Sequence, residues 1–228
     1  MTPAIEMSDG DRLAGGLAAL NLSVSSEKQS LLLAYAEEFR KWNRIHNLSA
    51  VDANEEFISL HLLDSLAVAE PLMKSLEAQG LVNKRLIFAD LGAGGGLPGI
   101  PLAIIFPQWR FVLVEAVKKK AAFLQHIKGK LKLENLEVVG DRIENLAQER
   151  PNFADATISR AFSELKNFVD FSSGLLKPDG LIFAMKSQKA EEELAAMPSG
   201  WVLLDNAPIK VPMLEANRCL LTIQSVRK

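Results

Sequence analysis

A run of glycines directly follows an apolar segment near the middle of the chain. Residues 87–91 continue into Gly92-Ala93-Gly94-Gly95-Gly96-Leu97-Pro98-Gly99. This pattern is typical of the turn between the first strand and the first helix of a doubly wound α/β sheet. Glycines in such a turn adopt positive φ and let the backbone approach a ligand, and the helix that follows offers unpaired amides. We therefore expect a ligand to bind at the carboxyl end of this strand.

Strands and helices are predicted to alternate after residue 80. The apolar runs predict strands at 85–91, 110–114, 136–139, 154–158, 181–185, 202–204 and 220–225. The segments between them predict helices at 98–106, 118–131, 163–176 and 191–197. This alternation favours an α/β fold with a parallel, doubly wound sheet and right-handed crossovers.

The first 80 residues have a helical pattern instead. A capping box at Ser26 and apolar residues at helical spacing predict a helix over 27–44. A second helix is expected over 54–69, with Pro71 near its end, and a short one over 13–20. The sequence thus predicts an N-terminal helical region, 1–80, followed by a ligand-binding domain, 81–228.

Composition excludes several classes of protein. The 228 residues include one cysteine, Cys219, so an intramolecular disulfide is impossible. No apolar run approaches the roughly 20 residues that span a bilayer, and residues 1–19 lack the apolar core of a signal peptide. We expect a cytoplasmic protein with no membrane association. The net charge of -2 gives no bulk electrostatic argument for nucleic acid binding, and no residue set has metal-ligand spacing, so no metal is expected.

An acidic residue helps to distinguish the candidate ligands. Gly94, Gly96 and Gly99 satisfy the GxGxxG spacing of dinucleotide folds, so the glycines alone leave NAD and S-adenosyl-L-methionine open. Asp90 ends the first strand, where its charge would repel a pyrophosphate but attract an ammonium and a sulfonium. A P-loop is excluded because no Gly-Lys-Ser/Thr follows the glycines. The acid favours S-adenosyl-L-methionine as the cofactor.

Two further acidic positions follow the next strands. Glu115 ends the second strand about twenty residues beyond the glycines, where an acid binds the ribose hydroxyls of an adenosine ligand. A plain solvated acid at a strand end is the alternative. The segment 141–144, Asp-Arg-Ile-Glu, follows the third strand, and it fits either the adenine side of the ligand or an ordinary helix start.

A longer motif connects the chain to a known family. With residues 90–101, which end in Leu-Pro-Gly-Ile-Pro, the chain resembles the bacterial small-subunit ribosomal RNA guanine-N7 methyltransferases, the GidB or RsmG family. The resemblance extends over nearly the whole length through the segments 41–43, 47–49, 61–65, 132–135 and 158–162. It implies a Rossmann-like class I methyltransferase domain behind helices, and transfer of a methyl group from S-adenosyl-L-methionine to guanine N7 in 16S ribosomal RNA.

The resemblance also implies roles for individual residues. Gly92 and Leu97 correspond to loop contacts with the cofactor, and Ile143 with Glu144 to adenine contacts. The positions implied in RNA handling are Asn47, His61 and Arg218. Arg160 corresponds to the arginine at the crevice between cofactor and substrate. Two departures stand out: Leu60 replaces a usual Arg or Lys, which weakens a basic RNA contact at His61, and Gly95 replaces a frequent Pro.

The implied reaction needs little acid–base catalysis. Guanine N7 carries an in-plane lone pair, so no general base is expected and positioning should dominate. We therefore expect Arg160 to act by positioning. Lys186 joins Arg218 as a predicted RNA contact, because strand ends in such sheets border the ligand crevice. Ordinary helix-face bonding for His61 and core packing for Phe162 remain alternatives to RNA contacts.

Three rival functions stay open at this point. A methyltransferase of the same fold could use a protein or a small molecule as acceptor. An NAD-dependent dehydrogenase fits the glycine spacing and Glu115, although Asp90 disfavours it. A non-catalytic RNA-binding protein could keep the fold. The preferred partner is the small ribosomal subunit or its 16S RNA, and a monomer is expected.

Overall fold

Nine α-helices, one π-helical segment and seven strands make up the described part of the chain. The computed structural model describes residues 7–46, 48, 57–160, 162, 164–187, 190–215 and 217–226. The helices before the sheet are α1 (Asp9–Ala19), α2 (Ser26–His46), α3 (Asp64–Leu66) and α4 (Ala69–Ala78), with the π-helical segment Phe57–Leu63 before α3. The helices within the sheet region are α5 (Gly99–Ile105), α6 (Lys118–Lys130), α7 (Ile143–Glu149), α8 (Leu165–Ser173) and α9 (Ala190–Ala195).

The strands form one sheet in the order β3-β2-β1-β4-β5-β7-β6. Their bounds are β1 (Ile87–Leu91), β2 (Arg110–Val114), β3 (Leu136–Val139), β4 (Ala154–Arg160), β5 (Leu176–Ser187), β6 (Trp201–Lys210) and β7 (Asn217–Ser225). Strands β1 to β5 pair in parallel, so the carboxyl ends of all five lie at one edge of the sheet.

The prediction of a parallel sheet is wrong for one strand, β7. β7 runs antiparallel to both β5 and β6. The connection between β6 and β7 covers only residues 211–216, much shorter than the roughly dozen residues that a parallel crossover needs. A connection this short can join β6 and β7 only as antiparallel neighbours.

Pro71 does not end a helix but lies inside one. Pro71 lies in the first turn of α4, although the sequence pattern placed it at the end of the preceding helix. The first amides of a helix have no intrahelical acceptor, so proline loses no hydrogen bond there. The chain continues through the turn at 67–68 into α4, and the N-terminal helices extend further towards β1 than predicted.

Two hydrophobic clusters cover the two faces of the sheet. One cluster joins Tyr35 and Phe39 of α2 to Phe88 of β1 and Phe123 of α6. The other places Phe168 of α8 against the opposite face. The N-terminal helices thus share one core with the sheet, and the division of the chain at residue 80 stays a prediction. In the described part of the chain, no helix is both long and apolar enough to cross a membrane.

Candidate cofactor and substrate site

The glycine turn after β1 has a backbone shape that requires glycine. Gly92, Gly94 and Gly96 have φ values of 69°, 58° and 93°, in the region that L side chains rarely adopt. The amides of Gly92 and Ala93 donate to the carbonyl oxygen of Val114 at 3.0 and 3.1 Å. The turn is therefore tied to the end of β2, and it forms a sharp return at the carboxyl edge of the sheet.

Glu115 contacts this turn directly. One carboxylate oxygen, Oε2, accepts from the amide of Gly94 at 2.8 Å, and Oε1 accepts from the amide of Val117 at the same distance. The side chain is buried, not solvated as a plain strand-end acid would be. The structure thus brings the acid of β2 and the glycine turn together, while a contact between Glu115 and a ribose stays a prediction.

Asp90 lies beneath the turn and not on an open rim, which corrects the expected placement. Its side chain is fully buried, and Oδ2 accepts from the amide of Gly99 at 2.9 Å. A Cβ at Gly99 would lie 2.6 Å from that oxygen, so glycine is what lets the carboxyl pack here. Burial raises the pKa of Asp90 to about 7. The other oxygen, Oδ1, has no hydrogen-bond partner among the described residues.

Arg160, at the end of β4, forms a cluster with residues of the N-terminal helices. Its Nη1 donates to the carbonyl oxygen of Leu60 at 3.1 Å and to Oδ2 of Asp64 at 3.0 Å. Its Nη2 lies 3.2 Å from Nδ1 of His61. The Nε of Arg218, on β7, donates to the other oxygen of Asp64 at 3.1 Å. The structure therefore joins the predicted residues Arg160 and Arg218 through one carboxylate and places His61 against Arg160.

His61 is a buried and neutral side chain. It lies between Phe57 and Phe39, with ring centroids 5.1 and 5.9 Å away. Burial and the charge of Arg160 lower its pKa to about 4, so Nδ1 accepts from Arg160 and the ring proton lies on Nε2. Nε2 has no partner in the described part of the chain. Aromatic packing thus encloses the ring, and a role of His61 in RNA handling stays a prediction.

Lys186 is enclosed as well. Its side chain is 8% exposed, and Nζ donates to Oε2 of Glu193 at 2.5 Å and to the carbonyl oxygen of Phe162 at 3.1 Å. The same Glu193 oxygen accepts from the amide of Leu165 at 2.7 Å. A carboxylate on α9 thus pairs with the ammonium and holds the start of α8, while an RNA contact of Lys186 stays a prediction.

The remaining predicted residues occupy different environments. Leu97 is buried, Ile143 is half-buried and Glu144 is exposed at the start of α7. Their contacts with a cofactor stay predictions. Phe162 packs against Phe168, with ring centroids 5.3 Å apart. Asn47 lies outside the described residues.

Phe162 also faces the glycine turn. A Cβ built at Gly92 would lie 3.8 Å from its Cε2 atom. The core packing that the sequence left open for Phe162 is therefore observed, and the ring edge adjoins the site at the same time.

Two residues of the site were missed by sequence reasoning. The hydroxyl of Tyr35 donates to the carbonyl oxygen of Gly95 at 2.6 Å, and burial raises the pKa of this phenol. Asp64 holds the two arginines. Asp64 belongs to one of the segments that carry the family resemblance, which is a signal that could have found it. The only sequence signal at Tyr35 is its position on the apolar face of the predicted helix over 27–44.

The described ranges contain no group of three or more His, Cys, Asp or Glu side chains that could hold a metal ion. The acids of the site instead accept from backbone amides and guanidinium groups, as Glu115 and Asp64 do.

Comparisons with known proteins agree on one family. The family model described as GidB, rRNA small subunit methyltransferase G, matches residues 28–222. The ribosomal RNA small subunit methyltransferase G of Polynucleobacter asymbioticus is 48% identical over 217 residues, covering 95% of this chain and 96% of that protein. The protein of the same name from an Azoarcus species is 45% identical over 212 residues, covering 93% and 94%.

A solved structure is similar in fold. A SAM-dependent methyltransferase from Aquifex aeolicus superposes with a TM-score of 0.54 at 17% identity, covering 71% of this chain and 93% of that chain. With the seven-stranded sheet, this likeness confirms the predicted class I methyltransferase fold. The fold and the sequence matches over nearly the whole length show that the chain belongs to the family of rRNA small subunit methyltransferase G.

Proposed function

We propose that the protein transfers a methyl group from S-adenosyl-L-methionine to N7 of a guanine in the 16S RNA of the small ribosomal subunit. One observation carries this proposal. The glycine turn after β1, Glu115 after β2 and Arg160 of β4 lie at the carboxyl edge of three adjacent strands. Sheets of this kind bind their ligands at that edge. Membership of the family supports the reaction type, and the resemblance of the motifs supports the guanine acceptor.

The residues at this edge fit a cationic adenosine ligand. Asp90 contributes a buried oxygen without a hydrogen-bond partner among the described residues, and Glu115 contributes a second carboxyl group beside the turn. Two acids would repel a diphosphate but favour a ligand with an ammonium and a sulfonium. When bound, S-adenosyl-L-methionine supplies an electrophilic methyl group. Glu115 would then accept hydrogen bonds from its ribose hydroxyls. The backbone of the glycine turn would lie close to the ligand, because no side chain of the turn stands between them.

The protein's own residues need only bind and orient the acceptor base. N7 of guanine has no proton to lose, so the neutral His61 has no general-base role to fill. Three of the five N–H groups of Arg160 are used by Leu60, Asp64 and His61. The other two N–H groups can donate to guanine O6 or to a phosphate. Orientation of this kind can contribute about 7–11 kcal/mol to lowering a barrier.

The partner is best understood as an assembled particle. A net charge of -2 offers little long-range attraction for RNA, so the shape of the small subunit would supply the recognition. We expect free 16S RNA to be a poorer substrate than the subunit. The cytoplasmic location and the monomeric state belong to the same proposal.

A methylation assay tests the proposal. Small subunits from cells that lack this protein are incubated with purified protein and S-adenosyl-L-methionine, and their RNA is digested to nucleosides. Mass spectrometry should find one new 7-methylguanosine per subunit. A methyl group on ribosomal protein, or on another nucleoside, would replace the acceptor in this proposal. Calorimetry with S-adenosylhomocysteine and with NAD tests the cofactor separately, and binding of NAD alone would favour a dehydrogenase.

A further inference from the structure

We propose that Asp64 is a positioning residue whose carboxylate holds Arg160 and Arg218 side by side as a two-arginine clamp for a backbone phosphate of the RNA substrate. The inference rests on the proposed function and adds a residue to it. The three side chains come from three places in the chain: the start of α3, the end of β4 and the start of β7. Only the folded protein brings them together.

The carboxylate is the most deeply buried member of the cluster. The side chain of Asp64 is 3% exposed, while those of Arg160 and Arg218 are 19% and 33% exposed. Each carboxylate oxygen accepts from a different guanidinium, at 3.0 and 3.1 Å. Two guanidinium groups so close together would repel each other without the intervening negative charge. Asp64 therefore fixes their separation from the buried side, and both arginine side chains stay partly exposed.

The contacts with Asp64 leave guanidinium N–H groups that could bind an anion. Arg218 is held through Nε, so its two terminal nitrogens are not used by the described contacts with Asp64. A guanidinium fork of this kind matches the geometry of phosphate oxygens. The cluster carries two positive charges and one negative charge, because His61 beside it is neutral. A net positive charge with outward donors favours a phosphate over an uncharged group.

The clamp lies next to the proposed reaction centre. Asp90 of β1 pairs with Ile158 of the neighbouring strand β4, so Arg160 lies two residues further towards the same edge of the sheet as the glycine turn. A phosphate held by Arg160 and Arg218 would thus be placed at the edge where the turn lies. Displacing either arginine should affect the placement of RNA more than the binding of the cofactor.

A double-mutant cycle on purified full-length protein tests this role. Asp64→Asn keeps the size of the side chain but removes the charge and one acceptor oxygen. Arg218→Gln removes the second arginine. If Asp64 acts by positioning the arginines, each variant should raise KM for small subunits by about tenfold, and the double variant should be no worse than about the poorer single variant. Affinity for S-adenosylhomocysteine, measured by calorimetry, should stay within about twofold.

A matched control lies in the next residue. Ser65 is fully buried in the same turn, and its hydroxyl has no hydrogen-bond partner among the described residues. Ser65→Ala should therefore leave KM and kcat unchanged. If Asp64→Asn fails to fold, Arg218→Lys serves instead, because it keeps the charge but loses the fork. An increase in KM for Arg218→Lys supports the clamp, and wild-type kinetics overturn it.

The outcomes separate this inference from the proposed function. Wild-type KM for Asp64→Asn, or fully additive effects in the cycle, overturn the positioning role. Equal losses of S-adenosylhomocysteine affinity and RNA affinity overturn it as well, because they indicate general damage to the fold. Failure of the wild-type protein to methylate small subunits would instead overturn the proposed function.

Discussion

The hydroxyl of Tyr35 donates a hydrogen bond of 2.6 Å to the carbonyl oxygen of Gly95. The tyrosine belongs to α2 and is fully buried, and the carbonyl belongs to the glycine turn after β1. An N-terminal helix thus holds the turn that we propose binds the cofactor. The helical region therefore supports the site itself, in addition to any contact with RNA.

Tyr35→Phe should loosen this turn. The substitution removes the only donor known for the Gly95 carbonyl in the described contacts, and an unsatisfied buried acceptor costs about 1–3 kcal/mol. We expect the free energy of unfolding to fall by that amount and the affinity for S-adenosylhomocysteine to weaken. Urea denaturation and calorimetry measure the two effects. Wild-type affinity with reduced stability would show that the turn keeps its shape without this bond.

Gly95→Ala should be destabilising for a steric reason. A Cβ at this position would lie 2.3 Å from Cε2 of Phe39, which is buried among Tyr35, Phe57 and Phe123. The ring has to move, and such overpacking costs about 1–3 kcal/mol.

Gly129→Ala is the matched control for that substitution. Gly129 lies inside α6, where a Cβ would meet no heavy atom within 4 Å. Alanine there should raise stability by about 0.5–1 kcal/mol, because it favours the helix. Thermal denaturation of both variants checks the pair, and a stable Gly95→Ala protein would contradict the close packing at Phe39.

Two buried groups should give opposite pH dependences of stability. The pKa of His61 falls from 6.5 to about 4 on folding, so the folded state binds fewer protons and loses stability as pH drops through this range. The pKa of Asp90 rises from 3.8 to about 7, so stability is lost as pH rises through that range. In the wild-type protein the two effects partly offset each other between pH 4 and 6.5.

Asp90→Asn should separate them. Without the carboxyl group, only the His61 effect remains, and the melting temperature should fall more steeply as pH drops from 6.5 to 4. At pH 8 the variant should be more stable than the wild type, by up to about 4 kcal/mol for a shift of three pKa units. Affinity for S-adenosylhomocysteine should fall at the same time. Thermal denaturation from pH 4 to 8 is the measurement, and parallel profiles for both proteins would contradict the raised pKa of Asp90.

Lys186→Met should affect stability without changing the electrostatics of RNA binding. The ammonium is held by Glu193 and by the carbonyl oxygen of Phe162, so its loss should cost about 1–3 kcal/mol. The salt dependence of binding to small subunits should keep its slope, because a paired ammonium releases no counterion from RNA. A slope lower by about one would mean that Lys186 contacts a phosphate after all.

Arg160→Ala should depress methyl transfer far more than folding. The side chain is the link between the proposed substrate and the Asp64 cluster, and its removal takes away three described hydrogen bonds. Single-turnover kinetics with small subunits measure the first effect, and urea denaturation measures the second. An unchanged rate of transfer would remove Arg160 from the site.

The central strands were predictable because burial makes their sequence pattern simple. β1 to β4 begin and end within about two residues of their predicted bounds, since buried parallel strands appear as continuous apolar runs. β6 was predicted over 202–204 but extends over Trp201–Lys210. Most of its side chains are exposed on the edge of the sheet, so pairing with β7, and not an apolar pattern, defines its length.

The site was predictable where neighbouring strands place its residues. The contact between Glu115 and Gly94 follows from spacing, because both residues lie just beyond the carboxyl ends of adjacent parallel strands. The contacts of Tyr35 and Asp64 join residues that are 60, 96 and 154 positions apart. No local pattern encodes such distances. The pairing of Lys186 with Glu193 was not predicted either, although the two residues are only seven positions apart, because it depends on how the following helix packs.

The packing of α2 also has a consequence for folding during translation. Tyr35 and Phe39 are translated early, but they are covered by Gly95 and by Phe123 of α6. During synthesis the part of their aromatic surface that faces α6 stays uncovered until most of α6 has left the ribosome, and exposed apolar surface of this kind is where nascent chains aggregate or engage chaperones. More than half of the polypeptide must therefore emerge before all the native partners of its first long helix are present.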